Sequence, residues 1–193
     1  MISTQRRYSL DEYRTIEEKA EGRREYRDGE IVPMPGGTLK HSRIGRNILT
    51  YLDYVLRDSQ FEAINSDLRL WIPEYRRGVY PDVMIFEGEP QLNEHRNDEV
   101  LNPVVIVEVL SPSTADYDRQ AKFRIYRSIP CFREYLLVEQ DEPFVEHYSK
   151  QAQGWLLTDF NRLEQSICLE SVKVELPLTE IYRGIEFESA IAD

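Results

Sequence analysis

The chain has 193 residues, with 24 Lys+Arg against 35 Asp+Glu and a formal net charge of -11 at pH 7. With 41% hydrophobic and 31% charged residues it has the composition of a globular protein, long enough to bury a core without disulfide or metal staples. The apolar runs fall short of the roughly 20 residues a membrane span needs, and the first residues lack a signal-peptide apolar core, so a soluble cytoplasmic protein is expected.

Ser9 followed by Glu12 forms a capping-box pattern, predicting a helix from Leu10 to about Ala20 that stops before Gly22. Residues 24–27 and 30–32, joined by Asp28-Gly29, read as a hairpin with a tight turn. Ile44, Ile48, Leu52 and Val55 recur at helical spacing and predict a helix from about Leu39 to Arg57. The pattern then turns to strands. Residues 61–72 alternate loosely, and 79–86 and 104–110 are apolar runs rich in β-branched residues, the mark of buried strands. A helix from about Ala115 to Arg127 follows, capped by Ser113 or Thr114, then strands near 134–139, 144–149 and 155–160. No repeat or Ser/Gly linker interrupts this order. Residues 1–193 read as one α/β (α+β) domain with a mixed central sheet: helix and hairpin over 8–35, core over about 39–150, C-terminal strands and tail over 151–193.

Cys131 and Cys168 stand alone, without CxxC spacing, which excludes a disulfide framework or zinc site and suits a reducing compartment. The acidic total argues against nucleic acid, but charge is unevenly placed. Residues 1–60 hold 11 basic and 10 acidic side chains, against 13 and 25 over residues 61–193. Two stretches are locally basic: 40–57, with Lys40, Arg43, Arg46 and Arg57, and 118–133, with Arg119, Lys122, Arg124, Arg127 and Arg133. Each is either a solvated surface or a backbone-contacting patch.

Two carboxylates interrupt apolar strands: Asp82 in VYPDVMIF and Glu108 in VVIVEVL, 26 residues later. A charge in a buried strand costs several kcal/mol unless it is paired or binds a cation. If the two strands are neighbours, both acids can converge on one hard cation; otherwise each faces solvent or pairs with an Arg. Lys122 is the sole lysine between residues 41 and 149, and it shares a helix face with Asp118 and Tyr126 at i, i+4 spacing. That arrangement is either a surface ion pair or an ammonium aimed at the carboxylates. A glycosidase reading of the acid pair is poor, since neither Trp71 nor Trp155 sits in a sugar-binding cluster.

Pro81-Asp82, the run Glu108 to Thr114, Asp118-(x)3-Lys122-(x)3-Tyr126 and Glu134-Tyr135 together resemble the Uma-two family of the PD-(D/E)XK restriction-endonuclease-like superfamily. Residues 25–32 and His41 join the match, which covers about residues 8–150. The resemblance implies a restriction-endonuclease-like core with a mixed sheet flanked by helices, and an endonuclease that hydrolyses DNA using Mg²⁺ or Mn²⁺. Asp82 and Glu108 would be metal ligands. Leu110 stands where the superfamily motif has lysine, so Lys122 on the following helix would replace it. Glu25 and His41 are secondary candidates, each equally readable as an ordinary surface group. A homodimer is compatible with such cleavage. The alternative is a catalytically inactive module on the same fold that binds nucleic acid or protein.

Overall fold

The computed structural model describes residues 6–94, 96–112 and 115–187. Helix α1 (Leu10–Glu17) begins at the expected capping box: Ser9 Oγ accepts from Glu12 N at 3.1 Å and Glu12 Oε2 accepts from Ser9 N at 2.8 Å. It ends earlier than expected from the sequence. Strands β1 (Arg24–Arg27) and β2 (Glu30–Pro33) form the hairpin, with Asp28 and Gly29 at positive φ as a tight Asp-Gly turn requires. Helix α2 (Leu39–Leu56) is capped by Thr38 and buries Ile44, Ile48 and Leu52 along one face as the sequence periodicity predicts, but the face continues to Leu56 and leaves Val55 exposed.

The apolar runs that follow are divided between two sheets. Residues 61–72 separate into β3 (Phe61–Asn65) and β4 (Arg69–Ile72). Likewise, residues 77–87 separate into β5 (Arg77–Val79) and β6 (Val83–Glu87), so Asp82 precedes a strand rather than lying inside one. With β7 (Glu99–Val100), one sheet has the order β2-β1-β5-β4-β7. The larger sheet contains β8 (Pro103–Val109), β9 (Glu134–Val138), β10 (Val145–Gln151) and β11 (Gly154–Phe160), in the order β11-β10-β9-β8-β6-β3. Its β8–β9 pair is parallel and its other pairs are antiparallel, which makes it a mixed sheet. Strands β12 (Ser166–Leu169) and β13 (Val174–Pro177) form a separate hairpin leading into α5 (Leu178–Ile181).

Between β8 and β9 runs one helical stretch in three parts: α3 (Ala115–Tyr117), a π-helical turn (Asp118–Lys122) and α4 (Phe123–Tyr126). The cap expected at Ser113 or Thr114 lies outside the described residues.

Strand β8 divides the core by parity, because successive side chains point to opposite sheet faces. Val105, Val107 and Val109 pack with α2, α5 and the β12–β13 hairpin. Ile106 faces the other way, toward Ile125 and Tyr126 of α4, and so by parity does Glu108. Asn47 of α2 ties down the first layer, donating Nδ2 to the carbonyls of Ile181 and Arg183 at 3.0 and 2.9 Å. No helix among the described residues is long and apolar enough to cross a membrane.

Candidate active site

Strands β6 and β8 are antiparallel neighbours with Val83 opposite Val107. Continuing that register by one residue sets Asp82 across from Glu108, where the strands begin to part. Asp82 is fixed there by a backbone donor, the Val109 N–H at 2.7 Å from Oδ2. His41 Nε2 lies 3.3 Å from the same oxygen. That contact with Asp82, opposed by partial burial, holds the His41 imidazole above its ordinary pKa.

Glu108 is 4% exposed. Its Oε1 accepts from Lys122 Nζ at 3.0 Å and from the Tyr126 hydroxyl at 2.7 Å. Burial, with Asp118 and Asp82 adding to it, pushes the Glu108 carboxyl up to about 8, although Lys122 and Tyr126 pull the other way. Lys122 is equally buried, and three carboxylates surround its ammonium: Asp118 at 2.9 Å, Glu108 at 3.0 Å and Glu25 at 3.7 Å. Burial disfavours its charge, but these acids outweigh it and raise its pKa well above the ordinary value. The ammonium is therefore a fixed positive charge near neutral pH and not a base.

The i, i+4 spacing of Asp118, Lys122 and Tyr126 thus carries through the π-helical turn: Lys122 and Tyr126 reach Glu108, and Asp118 reaches Lys122. The second basic stretch is only partly committed: Arg124, Arg127 and Arg133 are exposed and make no ion pair among the described residues. Lys122 is buried, and Arg119 is bound to Glu139 and Glu146 at 2.6 Å each. In the first stretch Lys40 pairs with Asp141, whereas Arg43 and Arg46 make no ion pair among the described residues.

Glu25 comes to the site from β1 and is 4% exposed, so it is no surface charge of a hairpin. Its Oε2 accepts from Arg27 Nε and Nη2 at 3.1 and 2.8 Å. Arg27 stacks on Tyr117, its guanidinium carbon 4.1 Å from the ring centroid. Arg27 and Tyr117 escaped the sequence reading. The only local signal was that Glu25 and Arg27, two residues apart on a strand, share a face. Asp82, Glu108, Lys122, Glu25 and His41 all line one cavity of about 310 Å³, together with Arg27 and Tyr117.

Among the described residues no group of three or more His, Cys, Asp or Glu is placed to hold a metal ion. The donor set nevertheless suits a hard cation of the Mg²⁺ type, which commonly binds through one or two carboxylates and keeps several waters. The geometry that favours it is the convergence of Asp82 and the buried Glu108 on one cavity, where a single ammonium faces three carboxylates and a cation would add to the positive charge.

A mixed sheet flanked by helices, with Asp82 and Glu108 brought together at neighbouring strand ends beneath a helix-borne lysine, is the arrangement of a protein of the restriction-endonuclease-like fold. A crystal structure described as a "putative nuclease belonging to DUF820" from Anabaena variabilis superposes with a TM-score of 0.72 over 91% of this chain and 97% of that one, at 20% identity. The chain belongs to the Uma2 family, described as "putative restriction endonuclease", whose model matches residues 10–179. Two Synechocystis proteins are similar to it and carry the names "uncharacterized protein sll1609" and "uncharacterized protein slr1290". The first is 40% identical over 82% of this chain and 90% of the relative. The second is 35% identical over 93% of each.

Proposed function

We propose that the protein is a divalent-cation-dependent endonuclease that hydrolyses DNA phosphodiester bonds. One observation carries this reading: Asp82 and Glu108 come from adjacent strand ends into a single cavity, with the buried Lys122 ammonium 3.0 Å from Glu108. Asp82 and Glu108 would hold Mg²⁺ or Mn²⁺, which supplies Lewis acidity toward a phosphoryl oxygen and a lowered pKa for bound water.

The protein groups divide the remaining work. Lys122 presents a preorganised positive charge where negative charge develops on the phosphoryl oxygens, and it orients the attacking water by hydrogen bonding. Its raised pKa keeps it charged and supports an electrostatic role over proton abstraction. Asp118 and Glu25 keep the ammonium in place, and Arg27 in turn neutralises Glu25. Tyr126 fixes the orientation of Glu108, while the Val109 N–H and His41 fix Asp82. Family membership and the fold of the Anabaena neighbour support the same reading.

The test is cleavage of plasmid and single-stranded DNA in Mg²⁺ or Mn²⁺. Wild type should cut, and Asp82→Ala and Glu108→Ala should each lose at least a hundredfold in rate. Undiminished cleavage by either variant overturns the assignment.

A further inference from the structure

The cavity that holds the acids does not end at Asp82. A second, larger hollow of about 730 Å³ shares Met34, Gly36, Gly37, His41, Tyr80 and Asp82 with it. The two are limbs of one cleft, with Asp82 and His41 at the junction. The outer limb runs along α2, where Ser42, Gly45, Arg46 and Leu49 face it at i, i+3, i+4 and i+7. The core-facing residues Ile44, Ile48 and Leu52 occupy the opposite side.

Two features of this helix face lack a structural explanation in the fold. Gly45 sits inside an 18-residue helix, where glycine weakens the helix relative to alanine. A Cβ there would meet nothing within 4 Å, so packing does not demand the glycine. Arg46 is exposed and makes no ion pair among the described residues, although acidic side chains are abundant in this chain. Its guanidinium makes a single long contact, 3.4 Å to Asn47 Oδ1. A bare stretch of backbone next to an uncommitted cation suits a chain of phosphates lying against the helix.

The size and charge of the cleft select the form of that chain. Both limbs fall within the range of small-ligand pockets, roughly 300–1,000 Å³. Glu108 lies at the bottom, 4% exposed, so the reacting phosphate has to descend between the 33–37 loop and α2. A strand free of its complement can do so, whereas a duplex brings its second strand to the rim. Duplex DNA also carries one charge per about 1.7 Å of axis against about 3.4 Å for one strand, and a body of net charge -11 repels the denser polymer more.

We propose that the outer limb seats an unpaired DNA strand on one side of the scissile phosphate, with Arg46 holding a backbone phosphate and Gly45 giving the strand room against α2. The inference rests on the nuclease reading and specifies its substrate as single-stranded at the cut. The experiment is fluorescence anisotropy of the full chain in Ca²⁺, with a fluorescein-labelled 12-nucleotide single strand and the matching duplex. The single strand should bind at least tenfold tighter. Gly45→Gln, which fills open space with a better helix former, should weaken single-strand binding about tenfold while its melting temperature stays level or rises. Arg46→Ala should weaken it severalfold and reduce the slope of log K against log salt by about 0.7. Equal or tighter duplex binding overturns the inference, as does wild-type-like binding by both variants. If wild type neither binds nor cuts any DNA in Mn²⁺, the nuclease reading itself falls, and this inference with it.

Discussion

Replacing Glu108 by Gln separates a carboxylate kept for a cation from one kept for the fold. In the unfolded chain a glutamate ionises near 4.5, whereas in the folded protein burial and neighbouring acids move Glu108 to about 8. Folding at pH 7 therefore requires the group to take up a proton. Climbing from 4.5 to 7 at about 1.36 kcal/mol per unit costs on the order of 3 kcal/mol. The sign follows from proton binding: the folded state holds the extra proton, so the contribution of Glu108 to stability is most favourable below pH 4.5 and declines as pH rises through 8. Glutamine keeps an acceptor for Tyr126 and Lys122 and escapes this cost, while Lys122 retains Asp118 and Glu25 as charge partners. With allowance for an imperfectly placed amide, Glu108→Gln should be about 1–3 kcal/mol more stable than wild type at pH 8 in chelator. That corresponds to several degrees in Tm for a chain of this size. Near pH 4.5 the two proteins should converge. Millimolar Mg²⁺ should raise the wild-type Tm and leave the variant unmoved, since only a state that binds the ion is stabilised by it. The assay is thermal and urea denaturation at pH 5, 7 and 8, with and without the metal. A variant less stable than wild type at pH 8 in chelator would refute the reasoning and make Glu108 a structural partner of Lys122.

Two further outcomes follow from the same geometry. The His41 ring should titrate by NMR above 6.5, and Asp82→Asn should lower that midpoint, because the Asp82 contact is removed while burial remains. Its stabilising contribution is full below pH 6.5 and is lost as pH rises through the folded value; a midpoint unmoved by Asp82→Asn would show that the pair is not coupled. Asn47→Leu should cost about 2–4 kcal/mol in urea denaturation, since it strips the carbonyls of Ile181 and Arg183 of their donor, and a loss under 0.5 kcal/mol would show that water replaces the amide.

Much of the site was legible because its parts are short-range. The Asp118–Lys122–Tyr126 face follows from helical spacing alone, and it survives the π-helical turn, with Lys122 and Tyr126 on Glu108 and Asp118 on Lys122. The position of Glu108 within β8 follows from an unbroken apolar run, and its sheet face follows from parity. Glu25 was a secondary candidate by resemblance, and its own local pattern read equally as a hairpin charge. Its burial depends on β1 pairing with β5, about 50 residues away, which no local pattern encodes.

The sequence by itself determined the capping box of α1, the Asp28-Gly29 turn, the buried face of α2 and the carboxylates set among apolar residues, all consequences of local backbone preference and hydrophobic period. Tertiary structure alone decided how residues 61–87 are shared between two sheets and that Asp82 stands just ahead of a strand, pinned by the Val109 N–H. It also decided that Arg27 and Tyr117 close one wall of the cleft and that α2 borders its outer limb. These outcomes depend on strand pairing across long sequence separations, where the energy resides in contacts between segments and not in either segment's own pattern.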